Sequence, residues 1–250
     1  MSPEEGLARL QALGFGETDA MRLWQHFDDA EQRGKLGHGH SRIVWLESQS
    51  GFDPRAEAAI VDLGHGFERW DGNGAIGYLV MMTVVEKALW NHRQGELEPA
   101  RLIVCDRTFP TGMLGYYARI LASQGLVALV TATSPARLGP PGGAKVAGTN
   151  PLAIGVPSTD GEPLVADVSM GAVTWGDVIA GLRSEDELVP FGGEQWHKAF
   201  ALAVGLEAFV DALHREPGHG AVMLVAQPES DPIPALRATG IRLPGSPDRP

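Results

Sequence analysis

The order in which apolar patterns follow one another constrains this chain more than any single residue does. Short apolar runs of strand length lie between RLIVCD at Arg101–Asp106 and AVMLVAQP at Ala221–Pro228. Between those two come LVALVTAT, NPLAIGVP and PLVADVS, the last pair separated by the turn residues Thr159, Asp160 and Gly161. The residues before them repeat at helical spacing instead. Ser2, Pro3 and Glu5 form a helix start, Leu7, Leu10 and Leu13 give its buried stripe, and Gly14 stops it. A second helix is predicted from Asp19 to Gln32, with Met21, Trp24 and Phe27 on one face, and a long apolar one near Tyr78 to Arg93. Residues 1–98 are therefore expected to be mostly helical. GMLGYYARILASQG reads as a helix between two strands, and Glu194–His214 as a helix burying Phe200, Leu202, Leu206 and Phe209. The Pro- and Gly-rich tail is expected to wrap the surface. Strands clustered between helical ends imply an α/β (α+β) chain: a central sheet domain over 99–199, and a helical domain of 1–98 completed by 200–250.

Charge then narrows the ligands. Lys and Arg total 20 against 31 Asp and Glu, for a formal charge of −11. No basic run exceeds two residues, which argues against nucleic acid and against an anionic membrane as partners. An anionic ligand must then be held by a locally positive pocket. Cys105 is the only cysteine, so an internal disulfide and a Cys-based zinc site are excluded. MSPEEGLARL does not read as a signal peptide, and no apolar run reaches membrane-spanning length, which makes the cytoplasm the expected compartment.

Two glycine motifs compete for attention. Gly72, Gly74 and Gly77 spell GxGxxG, but a dinucleotide fingerprint needs an apolar strand before it and an acid ending a second strand about 20 residues later. Glu68, Arg69, Trp70 and Asp71 do not read as such a strand, so the motif is expected to be a turn leading into the long helix. Gly37-His38-Gly39-His40-Ser41-Arg42 says more. His38 and Arg42 are four residues apart, on one side of a helix starting there. Imidazole titrates in the range useful for proton donation, and a guanidinium can grip a carboxylate through two parallel bonds. A solvated glycine loop would carry the same residues. A metal at His38 and His40 has too few ligands to be argued, and none is expected.

Three further places could meet a ligand. Gly139 to Pro151 could line an anion with backbone N–H groups, helped by Lys145, although a long β connection explains the stretch as well. Asp167 ends a predicted strand, where acids mostly form turns. Gly192, Gly193, His197 and Lys198 open the last long helix, whose free N–H groups suit phosphate.

In order, these segments resemble the malate/L-lactate dehydrogenase type 2 family. GHGHSR is similar to its SHGxxR motif, with Gly37 where serine is usual, and DGNGAIG to its DGxxxxG segment. GYYARILASQGLV, SPARLGPPGG and GTNPLAIGVP also match, LVADVS resembles VLDMAT, and PFGGEQWHKAFALA resembles a GG…KGY helix start. The resemblance implies a non-Rossmann NAD(P)-binding fold with a largely antiparallel sheet over 99–199, a substrate and dimerisation domain from both chain ends, and a homodimer. It implies that Arg42 and Asn150 bind a small carboxylate substrate. Gly148, Thr149, Asp167, Val168, Ser169, Gly193, His197 and Lys198 would contact NADP or NAD. Departures stand beside these matches. Pro110 occupies the place of the family's proton-accepting histidine, Asp177 that of a lysine, Ala199 that of a glycine, and Gly181–Pro190 replaces a longer cleft segment.

The expected activity is reduction of a small 2-oxo or cyclic 2-imino acid, in a specialised biosynthetic pathway, with Arg42 on the carboxylate and His38 as the remaining proton donor. An iminium can arrive already protonated and so tolerates Pro110. The alternative is a non-redox descendant: a lyase or isomerase using His38, or a catalytically silent partner subunit.

Overall fold

In the computed structural model, which describes residues 1–245, the apolar runs become one seven-stranded sheet layered with helices. The chain runs α1 (Pro3–Ala12), α2 (Glu17–Gln32), α3 (Ser41–Leu46), β1 (Ala59–Gly64), β2 (Phe67–Asp71), α4 (Gly77–Gln94), β3 (Ala100–Asp106), α5 (Leu114–Ser123) and β4 (Val127–Ala132). It continues through β5 (Leu152–Val156), β6 (Leu164–Val168), α6 (Trp175–Ile179), α7 (Trp196–Leu213), β7 (Ala221–Ala226) and α8 (Ile233–Ala238). The strand order is β1-β2-β3-β7-β4-β5-β6, and among the described residues only β2 and β3 pair in parallel. The sheet thus takes β1 and β2 from the N-terminal segment and β7 from the C-terminal one.

Period-two alternation sorts each strand between two layers. Ile103 and Cys105 of β3, Ala128 and Val130 of β4, and Met223 and Val225 of β7 enter the main core with α4, α5 and α2. Val104 and Val222 face the other way, onto Val210 of α7. Helix α4 is buried on nearly every side, from Tyr78 through Leu89. Each aliphatic side chain so buried contributes roughly 1.5–3 kcal/mol. Ser2 caps α1 as its sequence predicts, its hydroxyl accepting from Glu5 N–H at 3.3 Å. Residues Leu243 and Pro244 pack back on β6, Pro244 accepting from Val165 N–H at 3.2 Å; the rest of the tail, 246–250, lies outside the described residues. Among the described residues no helix is long and apolar enough to cross a membrane.

Two expectations need correction. The first hundred residues are not all helix: β1 and β2 lie within them. β1 is an exposed edge strand. β2 hides behind its charges, because Glu68 and Arg69 are buried and paired, Glu68 with Arg101 and Arg69 with Asp106 at 3.1 Å. The GxGxxG turn therefore does follow a strand, and β2, α4 and β3 form a β-α-β unit. Its glycines serve the chain itself. A Cβ at Gly72 would lie 2.3 Å from the Arg107 carbonyl oxygen, and one at Gly77 2.6 Å from that of Pro110. The Gly77 N–H, at the start of α4, already bonds the Phe109 carbonyl at 3.3 Å. The second correction concerns α7, which buries Ala199, Ala203 and Val210, while Leu202 is 50% and Phe209 45% exposed. That helix is apolar all round, so its periodicity does not select a face.

Candidate functional site

Arg42 and His38 reach the site through a tight turn. Leu36–His38 form one turn of 3-10 helix, and α3 follows, with the Arg42 N–H bonding the Gly39 carbonyl at 3.0 Å. Two glycines press α6 against this turn. A Cβ at Gly37 would sit 2.4 Å from Asp177 Oδ1, and one at Gly176 would sit 2.3 Å from the Gly37 carbonyl and 2.6 Å from Arg42 Nη2. This explains why glycine stands at position 37, and it brings the Arg42 guanidinium against α6.

His38 and Arg42 line a chamber of about 130 Å³, together with Trp45, Tyr78, Pro110 and Thr149. A more open groove of about 450 Å³ adjoins it, bordered by Val168, Asp177 and Phe191; both are lined by Lys35, His38, Asp167, Ser169 and Thr174. The inner chamber is lined by Lys35, Arg42 and Arg137, the last paired at 3.7 Å with Glu185 outside the lining, and by one carboxylate, Asp167. It is the locally positive pocket that a chain of charge −11 needs for an anion.

Arg42 is 7% exposed, with its guanidinium 5.2 Å from the Trp45 ring centroid. Its Nε is buried without a hydrogen-bond partner, and no carboxylate among the described residues lies within ion-pair distance. His38 Nδ1 and the Tyr78 hydroxyl are likewise buried and unpaired. Burial, then Arg42, then Lys35 hold the His38 pKa down to about 3. The expectation that this imidazole titrates near neutrality is therefore corrected: His38 is neutral at pH 7 and has no imidazolium proton to give.

Asp167 spans both cavities and also caps α5, accepting from Gly115 N–H at 3.1 Å. A Cβ at residue 115 would come within 2.8 Å of that carboxylate, so glycine there permits the approach. Burial raises the Asp167 pKa, against the Gly115 bond and the charges of Lys35 and Arg119. Ser169 lines both cavities, and Val168 is exposed in the groove. Asp177, in the place of the family's lysine, closes a capping box on α6: Thr174 N–H donates to it at 3.0 Å, and its own N–H donates to Thr174 Oγ1 at 3.1 Å.

Other residues singled out in the sequence line neither cavity. Asn150 is fully buried, its Nδ2 donating to the Ala203 carbonyl at 2.9 Å and to Glu207 at 2.5 Å. Gly148 N–H donates to the same Glu207 at 2.9 Å. Both residues thus fasten the loop to α7. Gly193, His197 and Lys198 are exposed at the start of α7. Lys145 pairs with Glu185 at 3.2 Å, and His40 stacks on Trp24 and meets Asp28 at 3.2 Å.

Sequence reading overlooked Lys35, Arg137, Tyr78 and Glu207. Lys35 sits three residues before His38, and Arg137 lies inside SPARLGPPGG, where a lone cation beside the glycines was the available signal. Arg137 stands 3.5 Å over the Trp175 ring. For Glu207, on an apolar helix, the signal was an acid flanked closely by hydrophobic residues, one of two in α7 with Asp211.

Comparison with known proteins shows the family and the fold. The (2R)-3-sulfolactate dehydrogenase (NADP(+)) of Chromohalobacter salexigens is 28% identical over 189 residues, 74% of this chain and 56% of that protein. The Delta(1)-pyrroline-2-carboxylate/Delta(1)-piperideine-2-carboxylate reductase of Pseudomonas syringae pv. tomato is 30% identical over 187 residues, 68% of this chain and 50% of its own. The chain spans about half the length of these curated relatives. The crystal structure of malate dehydrogenase from Entamoeba histolytica has the same fold, with a TM-score of 0.81 at 18% identity, over 98% of this chain and 85% of that one. Residues 6–188 match the family model described as malate/L-lactate dehydrogenase, and the chain belongs to that family.

Proposed function

We propose that this protein binds NAD or NADP and reduces a small 2-oxo or cyclic 2-imino carboxylate, working as a homodimer. The observation that carries the reading is Arg42, a buried guanidinium with no carboxylate partner in a chamber that adjoins an open groove. A buried charge left unpaired is strongly unfavourable, so the site is complete only with an anion in it. The residues present fit a phosphate-bearing cofactor beside a carboxylate: cations outnumber acids, and the unpaired polar atoms of His38, Arg42 and Tyr78 await partners.

When bound, a reduced nicotinamide supplies hydride to the substrate carbon. Arg42 receives the carboxylate through two parallel N–H bonds and so fixes which face of the substrate is presented. His38 contributes a hydrogen bond from a neutral ring. An anion seated on Arg42 screens one of the cations that depress His38, so its basicity rises when substrate binds. Lys35, Thr149, Asp167, Val168 and Ser169 hold the cofactor. The glycine turn between β2 and α4 does not, because the backbone of residues 107–110 fills its approach; this is the non-Rossmann mode. Trp45, Pro110 and Trp175 exclude water from the inner chamber. Leu202 and Phe209, seven residues apart and exposed on one side of α7, support the homodimer.

The test is to mix the protein with NADH or NADPH and a panel of 2-oxo acids and cyclic imino acids, following loss of the reduced-nicotinamide absorbance. Turnover of at least one pair is expected. If neither dinucleotide binds at millimolar concentration in a fluorescence titration, the non-redox alternative takes its place.

A further inference from the structure

Hydride addition to a 2-oxo acid leaves an oxyanion that needs a proton, and neither usual source is available. Pro110 has none to exchange, and His38 is neutral. Tyr78 lines the same chamber, and several features bring it there. It is the second residue of α4, directly after the GxGxxG turn. Gly77 has no Cβ to collide with Pro110, whose carbonyl oxygen would lie 2.6 Å from it, so the Phe109–Pro110 backbone lies on the start of that helix. Gly112 does the same on the other flank, where a Cβ would meet Tyr78 Cε1 at 2.3 Å. The phenol ring is fully buried, held edge-on by His26 at 5.2 Å and Phe27 at 5.0 Å.

Two neighbouring polar atoms are already engaged. His26 Nε2 accepts from Met113 N–H at 3.1 Å, and the Tyr117 hydroxyl donates to the Thr111 carbonyl at 2.8 Å. The Tyr78 hydroxyl, like His26 Nδ1 in the same cluster, has no partner, and of the two only Tyr78 belongs to a residue lining the chamber; buried hydroxyls rarely tolerate this unless a ligand completes them.

We infer that Tyr78 is the proton donor for reduction of 2-oxo acids at this site, its hydroxyl taking the role left open at Pro110. The inference rests on the hydride-transfer reading above. The substrate carbon accepts hydride, two electrons and a hydrogen nucleus, from a reduced nicotinamide, and the C=O π pair moves to oxygen. The Tyr78 O–H bond breaks and its proton goes to that oxygen, giving the 2-hydroxy acid and a phenolate. Arg42 and the N-terminal end of α4 steady the phenolate charge, and a proton from solvent restores the phenol once product leaves. Burial keeps this phenol protonated well beyond neutrality, and Arg42 opposes that shift only in part. Unlike His38, it carries its proton at every physiological pH. A cyclic iminium, by contrast, becomes a neutral amine on accepting hydride alone.

Tyr78→Phe tests this, since it removes one oxygen that bonds nothing in the protein. The expected result is a fall in kcat for 2-oxo acids of about 100-fold or more. Turnover of Delta(1)-piperideine-2-carboxylate should stay within about threefold of wild type. Binding of oxamate, a 2-oxo acid mimic, measured by calorimetry without cofactor, should weaken by about three- to tenfold, the share of one hydrogen bond. Equal loss on both substrate classes, or unchanged kcat on 2-oxo acids, overturns the assignment. So does a wild type that reduces imines but no 2-oxo acid, which leaves the hydride-transfer reading intact. Wild type inert with every substrate and both dinucleotides removes both readings.

Discussion

Replacing Arg42 by methionine separates what the guanidinium does for a ligand from what it does to the fold. Methionine keeps the volume and flexibility of the stem and removes only the charge and its five donors. In the ligand-free protein that charge is 7% exposed and unpaired, and its one favourable contact is the Trp45 ring at 5.2 Å. Losing the ring contact costs about 0.5–1 kcal/mol. Relieving an uncompensated buried charge returns more, about 1–4 kcal/mol by analogy with buried ion pairs replaced by apolar groups. The net is a gain of about 0–3.5 kcal/mol, each kcal/mol worth about 2–4 °C of Tm for a chain of this size. Carboxylate binding moves the other way. Removing one side of a desolvated bidentate pair costs about 2–5 kcal/mol, on the order of 30- to 4000-fold in affinity.

Thermal melts with and without oxamate read both terms at once. Oxamate at about 100 times its Kd adds about 2.7 kcal/mol to wild type, several degrees in Tm, and adds nothing to the variant. The variant should therefore melt at or above free wild type and be blind to oxamate. A variant that melts several degrees below wild type and still responds to oxamate would show that Arg42 holds the fold, and the reasoning here would be wrong.

Three other outcomes are expected. His38, with its pKa at about 3 in the folded protein against 6.5 ordinarily, takes up a proton in the unfolded chain first. Its contribution to stability therefore falls as pH drops from 6.5 toward 3, by about 2 kcal/mol at pH 5. His38→Asn should reduce the difference between urea unfolding free energies at pH 7 and pH 5 by about that amount; an unchanged difference refutes the buried neutral ring. Gly112→Ala places a methyl at φ +72°, 2.3 Å from Tyr78 Cε1 and 2.4 Å from His26 Nε2. It should cost about 2–4 kcal/mol, and a Tm within a degree of wild type would contradict the packing described. The double change Leu202→Asp, Phe209→Asp on the exposed side of α7 should convert a dimer to a monomer in sedimentation, with little loss of helix content. A wild type already monomeric at micromolar concentration refutes the homodimer.

What the sequence made legible followed from short-range physics. The runs at Arg101–Asp106, 126–133 and 221–228 are apolar enough to read as strands directly, and Ser2, Pro3 and Gly14 mark the first helix by capping and by positive φ. His38 and Arg42 were readable as a pair because one turn of helix aligns them. Long-range pairing decides the rest. β2 was invisible because its buried residues include Glu68 and Arg69, whose ion-pair partners lie more than 30 residues away. Asn150 has the residue type of a ligand contact, but Glu207, on a different element, claims its amide. The neutral state of His38 is only partly a property of GHGHSR: Arg42 belongs to the motif, but the burial that contributes most arises only when the chain folds around the ring. Tyr78 follows a motif whose familiar meaning drew attention to the glycines rather than to the phenol beside them.

The charged side chains of β2 have a further consequence for how the sheet assembles. β3, β7 and β4 are nearly uniform in their hydrophobicity, so sliding one along its neighbour changes little in apolar contact. β2 differs. With Phe67 opposite Leu102 and Trp70 opposite Cys105, Glu68 meets Arg101 and Arg69 meets Asp106. A slip of a single residue reverses which way every β2 side chain points and strands those ionic groups without counterparts in a dry interior. The two pairs therefore act as a key, admitting one alignment of the only parallel seam and rejecting its neighbours. Since α4 is strung between these strands, that key also sets the height at which Tyr78 enters the chamber.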